Sequence, residues 1–145
     1  IILGQLDVGN AYMFVLYTGL GVVLGHNFPF YMQFKGGKGI AASGGMIVGL
    51  WDWRLVVILL AAFIISVVVT RYVSVGSLTI MIGFFILYTI FAIHGDYNFT
   101  SNAKMVEGIV LAGVIAGMAV IRHLPNIKRL IAGTENKLSF GSKTA

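Results

Sequence analysis

The sequence predicts an all-α membrane protein: a compact bundle of about five transmembrane helices, one of them short, with a short cytoplasmic interfacial helix at the C-terminus. Three observations predict it. The 145 residues are 58% hydrophobic and 10% charged, with a mean hydropathy of +0.93, far from the balance of a water-soluble domain. Charged residues divide the chain into five uncharged runs, 8–34, 39–51, 55–70, 72–95 and 108–121. When those runs are read as successive crossings, Lys and Arg collect in alternate loops, as the positive-inside bias requires.

Trimmed at their Gly, Asn and Pro punctuation, the runs give apolar cores at 11–24, 40–50, 55–69, 78–93 and 105–121. A helix rises about 1.5 Å per residue and the hydrocarbon layer is about 30 Å thick, so most cores need only a few flanking residues to cross. The second core reaches about 17 Å at that rise, which leaves a tilted short span, a half-helix buried in protein, or a re-entrant turn. Charge favours the crossing. Lys35, Lys38, Arg71, Arg122, Lys128, Arg129, Lys137 and Lys143 then share the cytoplasmic side, and Arg54 and Lys104 face the other with Asp7, Asp52, Asp96 and Glu107. Trp51 and Trp53 flank Asp52 where an interfacial aromatic belt would put them. The spacings Gly21/Gly25, Gly45/Gly49 and Gly113/Gly117 are expected to pack helices within the bundle, with a homodimer face as the alternative.

The formal charge of +5 rests on too few cations to hold nucleic-acid phosphates, so no nucleic acid is expected. Without cysteine there is no disulfide, thiol nucleophile or thiolate metal site, and no metal or cofactor is expected. The opening Ile1-Ile2-Leu3-Gly4-Gln5 has neither an initiator Met nor a signal-peptide pattern. Residues 1–145 are therefore read as a single membrane-embedded domain that is N-terminally incomplete.

Three stretches on the cytoplasmic side do not read as packing. Residues 25–39, GHNFPFYMQFKGGKG, join two apolar segments with more than a turn requires. Gly36, Gly37 and Gly39 permit backbone angles that aim successive N–H groups at one point, just before a helix, and Lys35 and Lys38 bracket them: an arrangement suited to phosphate. The other reading is a positive-inside loop whose lysines meet lipid headgroups. Phe28, Pro29, Phe30 and Phe34 suit an interfacial anchor or an acyl-chain groove. Lys38 is followed by Gly39 and not by Ser or Thr, so this is no Walker loop.

Residues 70–77, TRYVSVGS, offer Arg71, Ser74 and Ser77, which suit a phosphate clasp, or equally an Arg at a span end with Ser77 as a helix N-cap. Residues 122–137, RHLPNIKRLIAGTENK, begin where the last span ends. Ile127, Leu130 and Ile131 recur at helical spacing around Lys128 and Arg129, as in an amphipathic interfacial helix. His123 and Asn126 stand three apart as a proton acceptor and a neutral amide, and Glu135 is the one carboxylate on this side. His94 lies on the far side beside Asp96 and is expected to carry no chemistry.

GHNFPFYMQFKGGKGIA resembles the second signature of the bacterial integral-membrane acyl-phosphate:glycerol-3-phosphate acyltransferases. TRYVSVGS is similar to that family's serine-containing connection, and RHLPNIKRLIAGTENK resembles its third signature, with His123, Asn126, Arg129, Gly133, Glu135 and Lys137 at the family's positions. Leu124 and Pro125 depart from it, standing where the family often has charged residues. Its earlier Gly-, Ser- and Asn-rich signature does not precede Gly25, so the chain is expected to be the last five spans of a seven-span bundle, inactive alone.

The resemblance implies transfer of a fatty acyl group from acyl phosphate to the sn-1 hydroxyl of glycerol 3-phosphate in phospholipid synthesis, giving lysophosphatidate and phosphate without coenzyme A. It implies catalytic roles for His123, Asn126 and Lys38. Substrate binding is expected from Lys35, Gly36, Gly37, Gly39, Arg71, Ser74, Ser77 and Glu135, and loop structure from His26 and Pro29. His123 is the candidate base, with substrate assistance by an acyl-phosphate oxygen as the rival. The implied setting is a bacterial inner membrane with the active-site loops in the cytoplasm, among membrane lipids and near an enzyme that makes acyl phosphate. A small anion transporter or channel subunit is the alternative, weakened because no apolar core carries a carboxylate, Lys, Arg or His at its centre.

Overall fold

The structure is a computed structural model that describes residues 8–139; Asp7 and Lys143, assigned above to opposite sides, lie outside the described residues. Six α-helices follow one another: α1 (Val8–Asn27), α2 (Ile40–Gly49), α3 (Trp53–Thr70), α4 (Val73–His94), α5 (Asn102–Arg122) and α6 (Leu124–Ile131). The β-branched and aromatic content of these runs would favour strands in water, but backbone polar groups in hydrocarbon must be satisfied within the segment, and a helix does so. Among the described residues, four stretches are long and apolar enough to cross a membrane: 9–32, α3, α4 and α5.

Local chemistry sets the helix ends. The Asp52 carboxylate accepts from the Arg54 N–H at 3.0 Å and starts α3, and Ser101 does the same for Lys104 at 3.3 Å in α5. Gly95, at φ 90°, ends α4 in the left-handed conformation that glycine adopts without steric cost.

α2 has only ten residues, yet it connects opposite ends of the bundle. At its start, residues 36–39 lie against the end of α1 and the end of α5, where Arg122 donates to the carbonyls of Gly36 and Gly37. At its finish, Asp52 and Arg54 meet Asp96 from the α4–α5 loop, with Arg54 Nη1 3.4 Å from Asp96 Oδ1 and its guanidinium 4.4 Å from the Phe91 ring centre. That opposite end also holds Gly9 against Asn98 and Phe99. The short segment is therefore a traverse and not a re-entrant turn.

Leu16, Leu55, Met81, Phe84 and Ile115 form the centre of the bundle, all fully buried. Outward positions are also apolar: Val57, Ile65, Val69, Ile86, Val110 and Ile121 are exposed. That pattern would be a liability in water and suits helices whose outer solvent is lipid. Trp51 and Trp53 project at the α2–α3 turn, 89% and 73% exposed.

The glycine spacings behave differently from expectation. Of the six, Gly49 packs against Val15 of α1 and Gly113 against Phe85 of α4, whereas a Cβ placed on Gly21, Gly25, Gly45 or Gly117 would meet nothing within 4 Å among the described residues. The tightest approaches between helices use glycines outside those pairs, Gly19 under Met46 of α2 and Gly76 under Phe63 and Val67 of α3. Which face a glycine presents depends on helix rotation, and spacing alone does not encode it.

Candidate active site

The loop from α1 to α2 is held by its own backbone. Pro29 is buried, and its carbonyl accepts from the N–H groups of Met32 at 3.1 Å and Phe34 at 3.0 Å, closing a 3₁₀ turn at Phe30–Met32. The chain then reverses through Gln33 and Phe34, both at positive φ, and Gly37 N–H donates to the His26 carbonyl at 3.1 Å. A side chain on Gly36 would run into the His26 and Asn27 carbonyls, and one on Gly37 into the His26 ring.

The glycines therefore act differently from the expected nest of converging N–H groups. Of Gly36, Gly37 and Gly39, only Gly39 has positive φ, at 75°, and the Gly37 N–H is already engaged. The other two allow the loop to press against the end of α1. His26 fixes the loop through its main-chain carbonyl, while its ring is exposed and lines the cavity described below. Gly39 is the N-cap of α2 and supplies no side-chain cap, so among the described residues the first-turn N–H groups of α2 have no partner before Ser43 bonds back to the Gly39 carbonyl at 2.8 Å. Lys38 lies beside this helix start and lines the cavity; Lys35 is exposed and does not line it.

At the α3–α4 connection, Arg71 caps α3 at φ 61° and its carbonyl accepts from Leu138 N–H at 2.7 Å. Its side chain is not among the cavity walls, whereas Ser74 and Ser77 are buried and are. α4 begins at Val73, so Ser77 sits in its second turn and is not its N-cap; the Ser77 hydroxyl donates to the Val73 carbonyl at 3.0 Å. The Ser74 hydroxyl has no well-formed hydrogen bond among the described residues, although it is near enough to the Glu135 carboxylate to help hold that group ionised.

His123 stands at the α5–α6 junction, 1% exposed. Its Nδ1 lies 2.7 Å from the Ala119 carbonyl. A carbonyl only accepts, so Nδ1 carries the proton and Nε2 of the neutral ring is left as an acceptor. Burial pushes the ring's pKa below its ordinary value and the charge on Lys38 adds to that, while the Ala119 hydrogen bond and Glu135 pull the other way. One turn on, Asn126 Nδ2 donates to Glu135 Oε1 at 2.7 Å and Arg129 Nε to Glu135 Oε2 at 2.7 Å. These bonds, Asn126 first, hold the Glu135 carboxyl below the usual range. Asn126 Oδ1 is buried with no partner among the described residues.

These groups converge. One cavity of about 700 Å³ at this end of the bundle is walled by Lys38, Ser74, Ser77, His123, Asn126 and Glu135, with His26, Gly39 and Lys137 at its edges. Residues 135–138 form part of its wall as a strap, held by the bonds to Glu135 and by the Leu138–Arg71 bond. Sequence reasoning treated Arg122 only as one more cation, yet its fork takes the Gly36 and Gly37 carbonyls at 2.7 Å and 3.0 Å and ties the glycine loop to His123's neighbour. It also passed over Asn27, fully buried against Gly39 with its amide unpartnered. The one sequence signal for Asn27 was a polar residue at the end of an apolar run.

A family model described as glycerol-3-phosphate acyltransferase matches residues 2–133. A glycerol-3-phosphate acyltransferase of Chlorobaculum parvum is 32% identical over 98% of this chain and 66% of its own length. One from a Thermoanaerobacter species is 38% identical over 99% of this chain and 65% of its own. The crystal structure of PlsY (YgiH), an integral membrane glycerol 3-phosphate acyltransferase in its glycerol 3-phosphate form, superposes with a TM-score of 0.71 at 31% identity, covering 86% of this chain and 56% of that one. The chain thus spans about two thirds of the length of the curated relatives it matches. The helical membrane bundle, the three converging stretches and a family match over nearly all of the described residues lead to one conclusion: this chain belongs to the glycerol-3-phosphate acyltransferase family.

Proposed function

We propose that the protein transfers a fatty acyl group from an acyl phosphate to the sn-1 hydroxyl of glycerol 3-phosphate, producing lysophosphatidate and inorganic phosphate. The observation that carries this reading is the single cavity in which a cation, an uncapped helix start, buried hydroxyls and a neutral histidine meet. Both substrates bear phosphate, and the cavity offers Lys38, the uncapped start of α2 and, at its edge, Lys137. Lys38 and the first turn of α2 receive the acyl phosphate and stabilise the phosphate as it leaves. Ser74, Ser77 and Lys38 hold the glycerol phosphate, with Asn126 Oδ1 as a free acceptor for one of its hydroxyls. Arg71 and Lys35 lie outside the walls and act on the approach of anionic substrates through their charge. Gly36 and Gly37 serve the site by letting the loop close on α1.

In the transfer, the sn-1 oxygen attacks the acyl carbonyl carbon and a carbon–oxygen ester bond forms. The bond from that carbon to the phosphate oxygen breaks, and its electron pair leaves on phosphate. His123 Nε2 takes the hydroxyl proton, which its protonation state in the fold allows. Glu135 keeps Asn126 and the strap in position and stays ionised. The eight-to-two division of cations between loops supports a cytoplasmic site in a bacterial inner membrane, with the donor delivered by an enzyme that makes acyl phosphate.

The test is phosphate release from a long-chain acyl phosphate by the full-length protein. Release that requires glycerol 3-phosphate and matches lysophosphatidate formed is the expected result; release indifferent to glycerol 3-phosphate rejects the reading.

A further inference from the structure

Asn27 closes α1 with a side chain that is fully buried, and neither its Oδ1 nor its Nδ2 has a partner among the described residues. An amide buried without a hydrogen bond is costly. Its oxygen faces Gly39, lying 2.8 Å from the place a Cβ on that glycine would take, with Val23 Cγ1 3.1 Å from the same place. One turn into α2, Ser43 is also fully buried, and its hydroxyl too has no partner among the described residues. Gly39 and Ser43 stand four apart and share one face, and the Ser43 N–H bonds back to the Gly39 carbonyl at 2.8 Å. The unpartnered first-turn N–H groups of α2 begin at the same spot. Gly39 borders the polar cavity, whereas Val23, Asn27 and Ser43 do not, so the glycine stands between them and it.

We infer that one ordered water is bound behind Gly39, donating to Asn27 Oδ1 and accepting from the Ser43 hydroxyl and from a first-turn N–H of α2. The chemistry of the place selects the occupant. The positive end of the α2 dipole repels a cation, and the Asn27 oxygen repels an anion. What fits is a neutral molecule that both donates and accepts. The missing Cβ of Gly39 leaves a space bounded by Asn27 and Val23 that suits water and nothing much larger, and three partners is about the usual complement of a buried water. Such a water does for α2 what a capping side chain at Gly39 would do, from the side away from the cavity. The N–H groups on the cavity side are then held in place for phosphate. Asn27 and Ser43 are thereby positioning residues for the acyl-phosphate site, a consequence that rests on the functional reading above, whereas the water site itself does not.

The first test is a crystal structure of the full-length protein at a resolution that shows waters. A water within hydrogen-bond distance of both Asn27 Oδ1 and Ser43 Oγ is expected; a direct bond between the two side chains, or a dry contact, overturns the inference. A second arm is kinetic. Asn27→Leu and Ser43→Ala should each raise the KM for acyl phosphate by about 2- to 30-fold, the range to which loss of a helix cap converts, with the KM for glycerol 3-phosphate unchanged. Because both variants lose the same water, the double variant should be no worse than Asn27→Leu alone. Additive losses, or lowered thermal midpoints with both KM values at the wild-type level, would show that the two side chains act only through packing and would overturn the positioning role. Ser43→Ala removes a single oxygen, so it carries this arm if Asn27→Leu does not fold. A water found at Asn27 in wild-type protein that does not turn over would defeat the functional reading while leaving the water site in place.

Discussion

Arg122 Nη2 donates to the Gly36 carbonyl at 2.7 Å, a bond between residues 86 apart that joins the glycine loop to the end of α5. With its Nε on the Gly37 carbonyl at 3.0 Å, Arg122 presents a two-toothed fork that lysine does not reproduce. It stands next to His123, so the same side chain sets the distance between the loop and the ring.

Arg122→Ala and Arg122→Lys should therefore both slow turnover by about a hundredfold, the cost of an ångström of misplacement between reacting groups. The variants should still insert in the membrane. Equal kcat/KM in Arg122→Lys and wild type would show that charge and not geometry matters at this position.

The three glycines should rank by what a side chain would strike. Gly36→Ala meets main-chain carbonyls that cannot yield, and should remove activity. Gly37→Ala meets the exposed His26 ring, which can swing away, and should cost less. Gly39→Ala forces a left-handed alanine at about 1–2 kcal/mol, with its Cβ 2.8 Å from Asn27 Oδ1. Turnover and thermal midpoints of the three variants check the order.

Ser74→Ala should raise the KM for glycerol 3-phosphate by about 10- to 150-fold, the cost of one lost hydrogen bond to a charged group, and leave the acyl-phosphate KM unchanged. Ser77→Ala should do less, because its hydroxyl is already bonded to Val73. A change confined to the acyl-phosphate KM would mean that the two phosphate sites are exchanged.

Cysteine placed at Lys35 and at Trp51 should be labelled from opposite faces of the membrane, since α2 joins the two ends of the bundle. Labelling of both from one face would contradict the traverse.

Much of this was legible in one dimension. Apolar cores at 55–69 and 105–121 fall inside α3 and α5, and even the doubtful run at 40–50 is α2 with one residue added. Lys38, Ser74, His123 and Asn126 were picked out by residue type at span ends, and they share a cavity because alternate span ends share one side of a bundle. Pairings that depend on helix rotation were not legible. Nothing in the string distinguishes Arg122, which clasps a loop, from Arg71, which turns away from the cavity, or tells that Glu135 reaches Asn126 across nine residues. For the same reason the glycine pairs were legible only in part: Gly49 and Gly113 meet a neighbouring helix and their partners Gly45 and Gly117 do not.

His123 should titrate below the ordinary histidine value of about 6.5, because burial and Lys38 both disfavour its cation. Its neutral form is the folded one, so stability is present above that ordinary value and is lost as pH falls through the lowered pKa. Lys38→Met should move the ionisation up and Glu135→Gln should move it down; nuclear magnetic resonance of the labelled ring follows both. An ionisation indifferent to either change would separate His123 from the charges assigned to its cavity.

The most direct test of the account is the pH profile of glycerol 3-phosphate-dependent phosphate release in wild-type and His123→Ala full-length protein, with glycerol 3-phosphate binding measured in both. The account predicts an acid limb below pH ~6.5 in the wild type, and in the variant a loss of about two to four orders of magnitude with that limb gone and binding kept. A small loss with an unchanged profile would contradict it and assign the proton to the acyl phosphate itself.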